Sequence, residues 1–392
     1  MIMPYRSDKA QNIHQSLLRH IHKPSDSHFA AFNQALLEAD ESSLIEKSVN
    51  DDSHLIDIFH LSHEIIVDKA LASHVANHLF KALMERCHKL PRTKAFLLLS
   101  SNRMGFTPLH DVLISGNPEI MHAYCEEVRM AVEQKIFRRE DYKNLLIGSN
   151  QAGFTPLHQA LISGNPQNMN AYFEEVKAAV SQKIITDKDY KNLLIGTNQA
   201  GFTPLHEALI SGNPHNTHAY FKAVKVAITQ DILSNDDYKD LLIQENRAGF
   251  TPLHQAAASG NLEIMKFFFE ELAKVRSKET VYRCLTQKAL GHIPSCPIRS
   301  DKPHARLINA YLDEKRHELA TFLDFKPSHR DDLIKSSDKK HPIEHLDNPS
   351  KQHRSSRDFA SRHAFFDKPQ DRYRPHAPDD IECFKQRRDL TK

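Results

Sequence analysis

The string Gly-Phe-Thr-Pro-Leu-His occurs four times, at residues 105–110, 153–158, 201–206 and 249–254, and every step is 48 residues. Three copies run on into Leu-Ile-Ser-Gly-Asn-Pro at 113–118, 161–166 and 209–214; the fourth reads Ala-Ala-Ser-Gly-Asn-Leu at 257–262. A constant period of this size marks an internally duplicated supersecondary unit whose apolar face is covered by the next copy. The 392 residues are therefore not the two or three independent domains that length alone would suggest at about 150 residues each.

Each part of the unit has a local physical role. Thr155 can cap a helix through its hydroxyl, Pro156 suits the first helical position where no N–H is needed, and Leu157 and Ala160 face the neighbouring unit. Gly164 can take the left-handed conformation that ends this first helix. A second helix is predicted to begin near Pro166 and run through Tyr172, Phe173, Val176 and Val180, which fall on one face at helical spacing. A further segment follows in copies one to three: Asp-Tyr-Lys-Asn-Leu-Leu-Ile at 141–147 and 189–195, and Asp-Tyr-Lys-Asp-Leu-Leu-Ile at 237–243. Its pattern fits a short amphipathic helix with Asp at the end favoured by the helix dipole. Each unit thus reads as three helices.

These residues resemble the ankyrin repeat family, whose signature is G-x-T-P-L-H-x-A-x-x-x-G-[HN]-x-x-[IM]. The resemblance implies an all-α ankyrin-type solenoid and a structural role for His110, His158, His206 and His254 in hydrogen bonding between units. The length departs from the family, since an ordinary unit has about 33 residues. The residue after the signature Gly, variable in the family, is Phe106, Phe154, Phe202 and Phe250 here. Two placements fit that recurrence: rings packed against the added Leu-Leu-Ile helix, or an exposed aromatic stripe that touches a partner.

The organisation expected is an N-terminal helical segment over 1–55, a degenerate capping repeat over 56–103, four ankyrin-like repeats over 104–276, a second degenerate cap over 277–325 and a disordered polar tail over 326–392. Two amphipathic patterns, Ile13, Leu17, Leu18, Ile21 and Phe29, Phe32, Leu36, Leu37, are predicted to dock on the first cap. Residues 57–62 align loosely with the signature, and residues 94–99 resemble the third-helix segment. Downstream, residues 282–285 and 291–294 echo the unit, ahead of a helix over 305–322. From Lys326 onward charged residues, His and Pro dominate, too little apolar surface to order the chain; Phe365, Phe366 and Tyr373 are candidate short-motif anchors there.

Composition narrows the chemistry. With 52 Lys plus Arg against 50 Asp plus Glu, there is no basic excess of the kind nonspecific nucleic-acid binding uses. The five cysteines are widely spaced with no C-x-x-C, which argues against a disulfide framework or zinc knuckle. No apolar run approaches the ~18 residues of a membrane span, and no basic-then-apolar signal opens the chain. Ten of the eleven glycines lie between Gly105 and Gly260, leaving no phosphate-binding loop in either flank. His63-Glu64 lacks the second His of a zinc-protease helix, His74 and His78 lack a third ligand, and Cys284, His292, Cys296 and His304 are irregularly spaced. The sequence His329-Arg330-Asp331 matches a kinase loop only in those three letters. No catalytic residue, cofactor or metal is expected.

The resemblance implies a protein partner held by turn tips and first helices. The positions are Arg103, Met104 and Asp111 in unit one, Gln151 and Gln159 in unit two, Gln199 and Glu207 in unit three, and Arg247 and Gln255 in unit four. The two arginines are the expected charge-bearing anchors. Variation at the start of the second helix, residues 119–122, 167–170, 215–218 and 262–265, is either drift on an exposed face or an alternative binding edge.

The units and polar tail further resemble ankyrin-repeat effectors that intracellular bacteria deliver into host cells by type IV secretion. That family often carries a hydrophobic residue near its end, as Leu390 does here. The resemblance implies export without a Sec signal, a host protein as partner and action in the host cytoplasm or nucleus. Two other classes remain: an adaptor recruiting machinery such as a ubiquitin ligase, and an enzyme with its site in residues 1–103.

Overall fold

The computed structural model describes residues 8–23, 25–44, 65–66, 73–102, 104–296 and 304–323. Among them every regular element is helical, apart from one isolated bridge between Ala289 and His292. The expectations for residues 57–62, His63-Glu64 and the tail from residue 326 lie outside the described residues. The chain divides into two compact bodies, one within residues 1–193 and the other within 194–380.

In the first body, the N-terminal helices Asp8–His22 and Asp26–Glu38 pack together, and the second also meets the helix Ser73–Arg86. Ile13, Leu17, Phe32 and Leu36 are buried in that contact, as their spacing predicts, whereas Leu37 points outward at 67 % exposure. Ala35, two residues earlier, points inward instead, beside Phe32 and Leu36. The C-terminal end of Asp26–Glu38 is tied down by Arg86, whose guanidinium donates to the carbonyls of Leu36 at 2.8 Å and Ala39 at 2.7 Å. Helix-terminal carbonyls lack intrahelical partners, so these bonds satisfy acceptors that water would otherwise serve.

The repeats form their three helices for the reasons the sequence contains. Pro156–Ser163 is the first helix of unit two, with Thr155 as N-cap, Pro156 at its start and Gly164 at φ 72° closing it. Pro166–Ser181 is the second, capped by the Asn165 side chain, which accepts from the N–H groups of Gln167 and Asn168. Tyr172, Phe173 and Val176 are buried on it as expected, while Val180 is only half-buried and Ala179 supplies the last inward contact. The added segments form Arg139–Ile147, Asp187–Ile195 and Asn235–Leu241. Their Asp does more than face the dipole: Asp141 accepts from the Arg138 N–H at 3.1 Å, Asp189 from Thr186 at 3.1 Å and Asp237 from Ser234 at 2.9 Å, and the Thr186 and Ser234 hydroxyls accept in return from the Asp189 and Asp237 N–H groups, completing a capping box in the last two.

Like elements stack on like. In the first body Pro108–Ser115 packs on Pro156–Ser163, and the second helices Ser73–Arg86, Pro118–Glu133 and Pro166–Ser181 pack in order. In the second body Pro204–Ile210 packs on Pro252–Ala258, and Pro214–Thr229 on Leu262–Val275. There Leu262–Val275 also meets Lys278–Thr286 and the long helix Ala305–Phe322. Arg316 of that helix holds the segment between them, donating to the carbonyls of Leu285 at 2.9 Å and Pro294 at 2.5 Å.

Candidate protein-binding face

The turn preceding each first helix is built by an asparagine three residues before the signature glycine. Asn150 Oδ1 accepts from the N–H groups of Ala152 at 3.0 Å and Phe154 at 2.9 Å; Asn102, Asn198 and Asn246 repeat the arrangement. This is an Asx turn, and it fixes the projecting tip. Sequence reading missed it, although asparagine at this position recurs with the same 48-residue step. At position 201 glycine is required for two reasons. Gly201 sits at φ +81°, and a Cβ there would lie 2.7 Å from the Arg247 backbone N.

The tips are joined one to the next. The Gln151 N–H donates to the Met104 carbonyl at 2.9 Å in the first body, and the Arg247 N–H to the Ala200 carbonyl at 3.0 Å in the second. Behind them, the Thr107 N–H donates to His110 Nδ1 at 3.3 Å, so that nitrogen is an acceptor. The proton therefore resides on Nε2, which donates to the Phe154 carbonyl of the next unit at 3.1 Å. His206 does the same to the Phe250 carbonyl at 3.1 Å. Main chain and histidine together hold the tips of one body in a fixed row.

None of the four phenylalanine rings is exposed. Each stands edge-on to the histidine four residues on, with centroids 5.6–5.7 Å apart. Phe202 is buried and Phe106, Phe154 and Phe250 are half-buried. They brace the signature histidine and form no exposed stripe.

Of the residues predicted to meet a partner, Gln151, Gln199 and Arg247 are exposed at the tips and Met104 is half-buried there. Arg103 lies outside the described residues. Asp111, Gln159, Glu207 and Gln255 depart from the expectation of an accessible first-helix face, because all four are buried. The physical reason is close packing: within each body the first helices meet through fully buried residues as small as Ala160, Ala208 and Ala256, so the position after the histidine falls in a narrow seam. The start of the second helix is more open, with Glu119, His122, Gln167, Asn170, His215, His218, Glu263 and Lys266 exposed.

Several ionisable side chains away from the tips join one unit to the next. Lys94 meets Glu127 at 2.6 Å, Tyr142 donates to Glu175 at 3.1 Å and Tyr238 donates to Glu271 at 2.7 Å, each across 33 residues from a third helix to the next second helix. Arg129 and Lys225 reach the same carboxylates, at 3.2 Å on Glu175 and 2.8 Å on Glu271. Cys125 and Cys284 are buried, and burial pushes their thiols up to about 12 and about 11, far from a reactive thiolate. Among the described residues no three His, Cys, Asp or Glu side chains are grouped to hold a metal ion, and no helix is long and apolar enough to cross a membrane.

No curated protein matches this chain. Residues 177–279 match the family profile described as ankyrin repeats (3 copies). That stretch contains the signatures beginning at Gly201 and Gly249, and those at Gly105 and Gly153 precede it. The chain thus carries ankyrin repeats, in a lengthened form with a third helix in the unit.

Proposed function

We propose that the protein is a noncatalytic effector that holds a host protein through the tips of its ankyrin repeats. The coarser part rests on the repeats themselves, which make this a protein–protein interaction module. The observation that supports the tips as the contact is that each body fixes its own tips by hydrogen bonds and Asx turns, with Gln151 exposed in the first and Gln199 and Arg247 in the second. A main chain already fixed by hydrogen bonds has little entropy left to lose on binding. Delivery by type IV secretion without a Sec signal, and action in the host cytoplasm or nucleus, are supported by the likeness of the units and polar tail to such effectors. Affinity capture from eukaryotic lysate with the full chain tests the reading. A near-stoichiometric protein retained by the wild type and lost on combining Arg103→Glu with Arg247→Glu supports it; retention by that variant overturns it.

A further inference from the structure

One residue after the signature histidine, Glu207 and Gln255 occupy equivalent places on Pro204–Ile210 and Pro252–Ala258, two helices packed together in the second body. Glu207 is 8 % exposed, and its carboxylate has no hydrogen-bond or ion-pair partner among the described residues. The Gln255 amide, 6 % exposed, is likewise without one. Neither head group is among the fully enclosed polar atoms that lack a partner, so each keeps an edge open to solvent. Ionising a carboxyl in such a seam is costly unless an opposite charge is brought to it.

Among the described residues of the second body no ion-pair partner for Glu207 is found. Burial alone pushes the Glu207 carboxyl up to about 8. The titratable groups on the helices packed against its own, His215, His218, Lys222 and Lys225 on Pro214–Thr229 and His254 on Pro252–Ala258, contribute nothing to that shift. A metal ion would need further ligands, and among the described residues no group of three is available. A single ammonium or guanidinium group can be held by one carboxylate and one amide oxygen, with its remaining N–H donors turned to the open edge.

We infer that this seam of the second body receives a lysine or arginine side chain of the protein partner, with Glu207 as its counter-ion and the Gln255 amide oxygen as a second acceptor. The inference rests on the protein-binding reading above and specifies the chemistry of the partner. Binding of the cation ionises Glu207, so complex formation releases a proton and strengthens as pH rises toward 8.

The test uses the full chain and a random dodecapeptide library with blocked termini, selected at pH 8.5 and followed by fluorescence anisotropy of the retained peptides. The expected peptides contain a basic residue whose replacement, Lys by norleucine or Arg by citrulline, weakens binding at least tenfold. Glu207→Gln, nearly isosteric, is expected to give the same loss without adding to it. Affinity for the wild type should climb toward tenfold per pH unit between 6 and 8 and stay flat for the variant. Peptides that lack a basic residue, or undiminished binding to Glu207→Gln, overturn the inference. If binding survives Glu207→Gln and falls with Arg247→Glu, the protein-binding reading stands and this inference falls; if no peptide is retained, both fall.

Discussion

The Tyr172 hydroxyl donates a 2.7 Å hydrogen bond to the carbonyl of Leu146, joining the second helix of one unit to the end of the third helix before it. Tyr124 reaches Leu98 at 2.6 Å and Tyr220 reaches Leu194 at 2.7 Å, each across the same 26 residues. The acceptor is a carbonyl near the helix C-terminus on a buried leucine, and the three tyrosines are buried as well. Removing the hydroxyl leaves that carbonyl orphaned. Tyr172→Phe should therefore cost about 1–3 kcal/mol in a denaturant melt although the ring still fits, and a variant as stable as the wild type would show that the bond contributes nothing.

The glycine at the tip gives a second test. Ala in place of Gly201 would meet both an unfavourable φ of +81° and the Arg247 backbone N at 2.7 Å. Loss of about 2 kcal/mol or more is expected, whereas Gly291→Ala, at φ +84° but with open space around it, should cost only the strain of about 1 kcal/mol. Thermal melts of the two variants compare steric and conformational contributions directly.

Acid should act through His254. Burial lowers its pKa to about 4 against an ordinary value of 6.5, while the Gln287 and His292 backbone favours the protonated ring and Arg316 opposes it. A histidine held neutral by the fold contributes its full stability above about 6.5 and loses it as pH falls through that value toward 4. The loss is on the order of 3 kcal/mol at pH 4. Replacing His254 by Gln should flatten this slope, which urea titrations at pH 7, 5.5 and 4 would reveal.

Glu207 has the opposite sign. Its folded pKa of about 8 lies above the ordinary 4.5, so stability is full below about 4.5 and is lost as pH rises to 8. Glu207→Gln should therefore stabilise the free chain by roughly 3 kcal/mol at pH 7 and change nothing at pH 4. Equal stability of the two proteins at pH 7 would mean that the carboxyl is better solvated than the seam suggests.

What the sequence made legible follows from how local each cause is. Thr155, Pro156, Gly164 and Asn165 act within a few residues of themselves, so the helices they start and stop could be read from spacing. The third helix was readable from Tyr-x-x-Leu-Leu-Ile for the same reason. The bonds between units were harder, because nothing near Tyr172 in the chain points to Leu146. Burial of Asp111, Gln159, Glu207 and Gln255 was hidden as well, since a polar residue on a first helix looks exposed until the small residues opposite bring the next helix close. The exposure of Gln151, Gln199 and Arg247 could be read from the sequence, because a turn just ahead of the signature glycine projects beyond the helices that follow it.

The measurement closest to the central claim is the dissociation constant of the captured partner for the full chain, wild type against Arg103→Glu with Arg247→Glu, with a thermal melt of each. The account predicts at least tenfold weaker binding, about 1.4 kcal/mol or more, and an unchanged melt, since Arg247 is exposed and makes its bond to Ala200 through the main chain. Equal affinity for both proteins would contradict it and move recognition away from the tips.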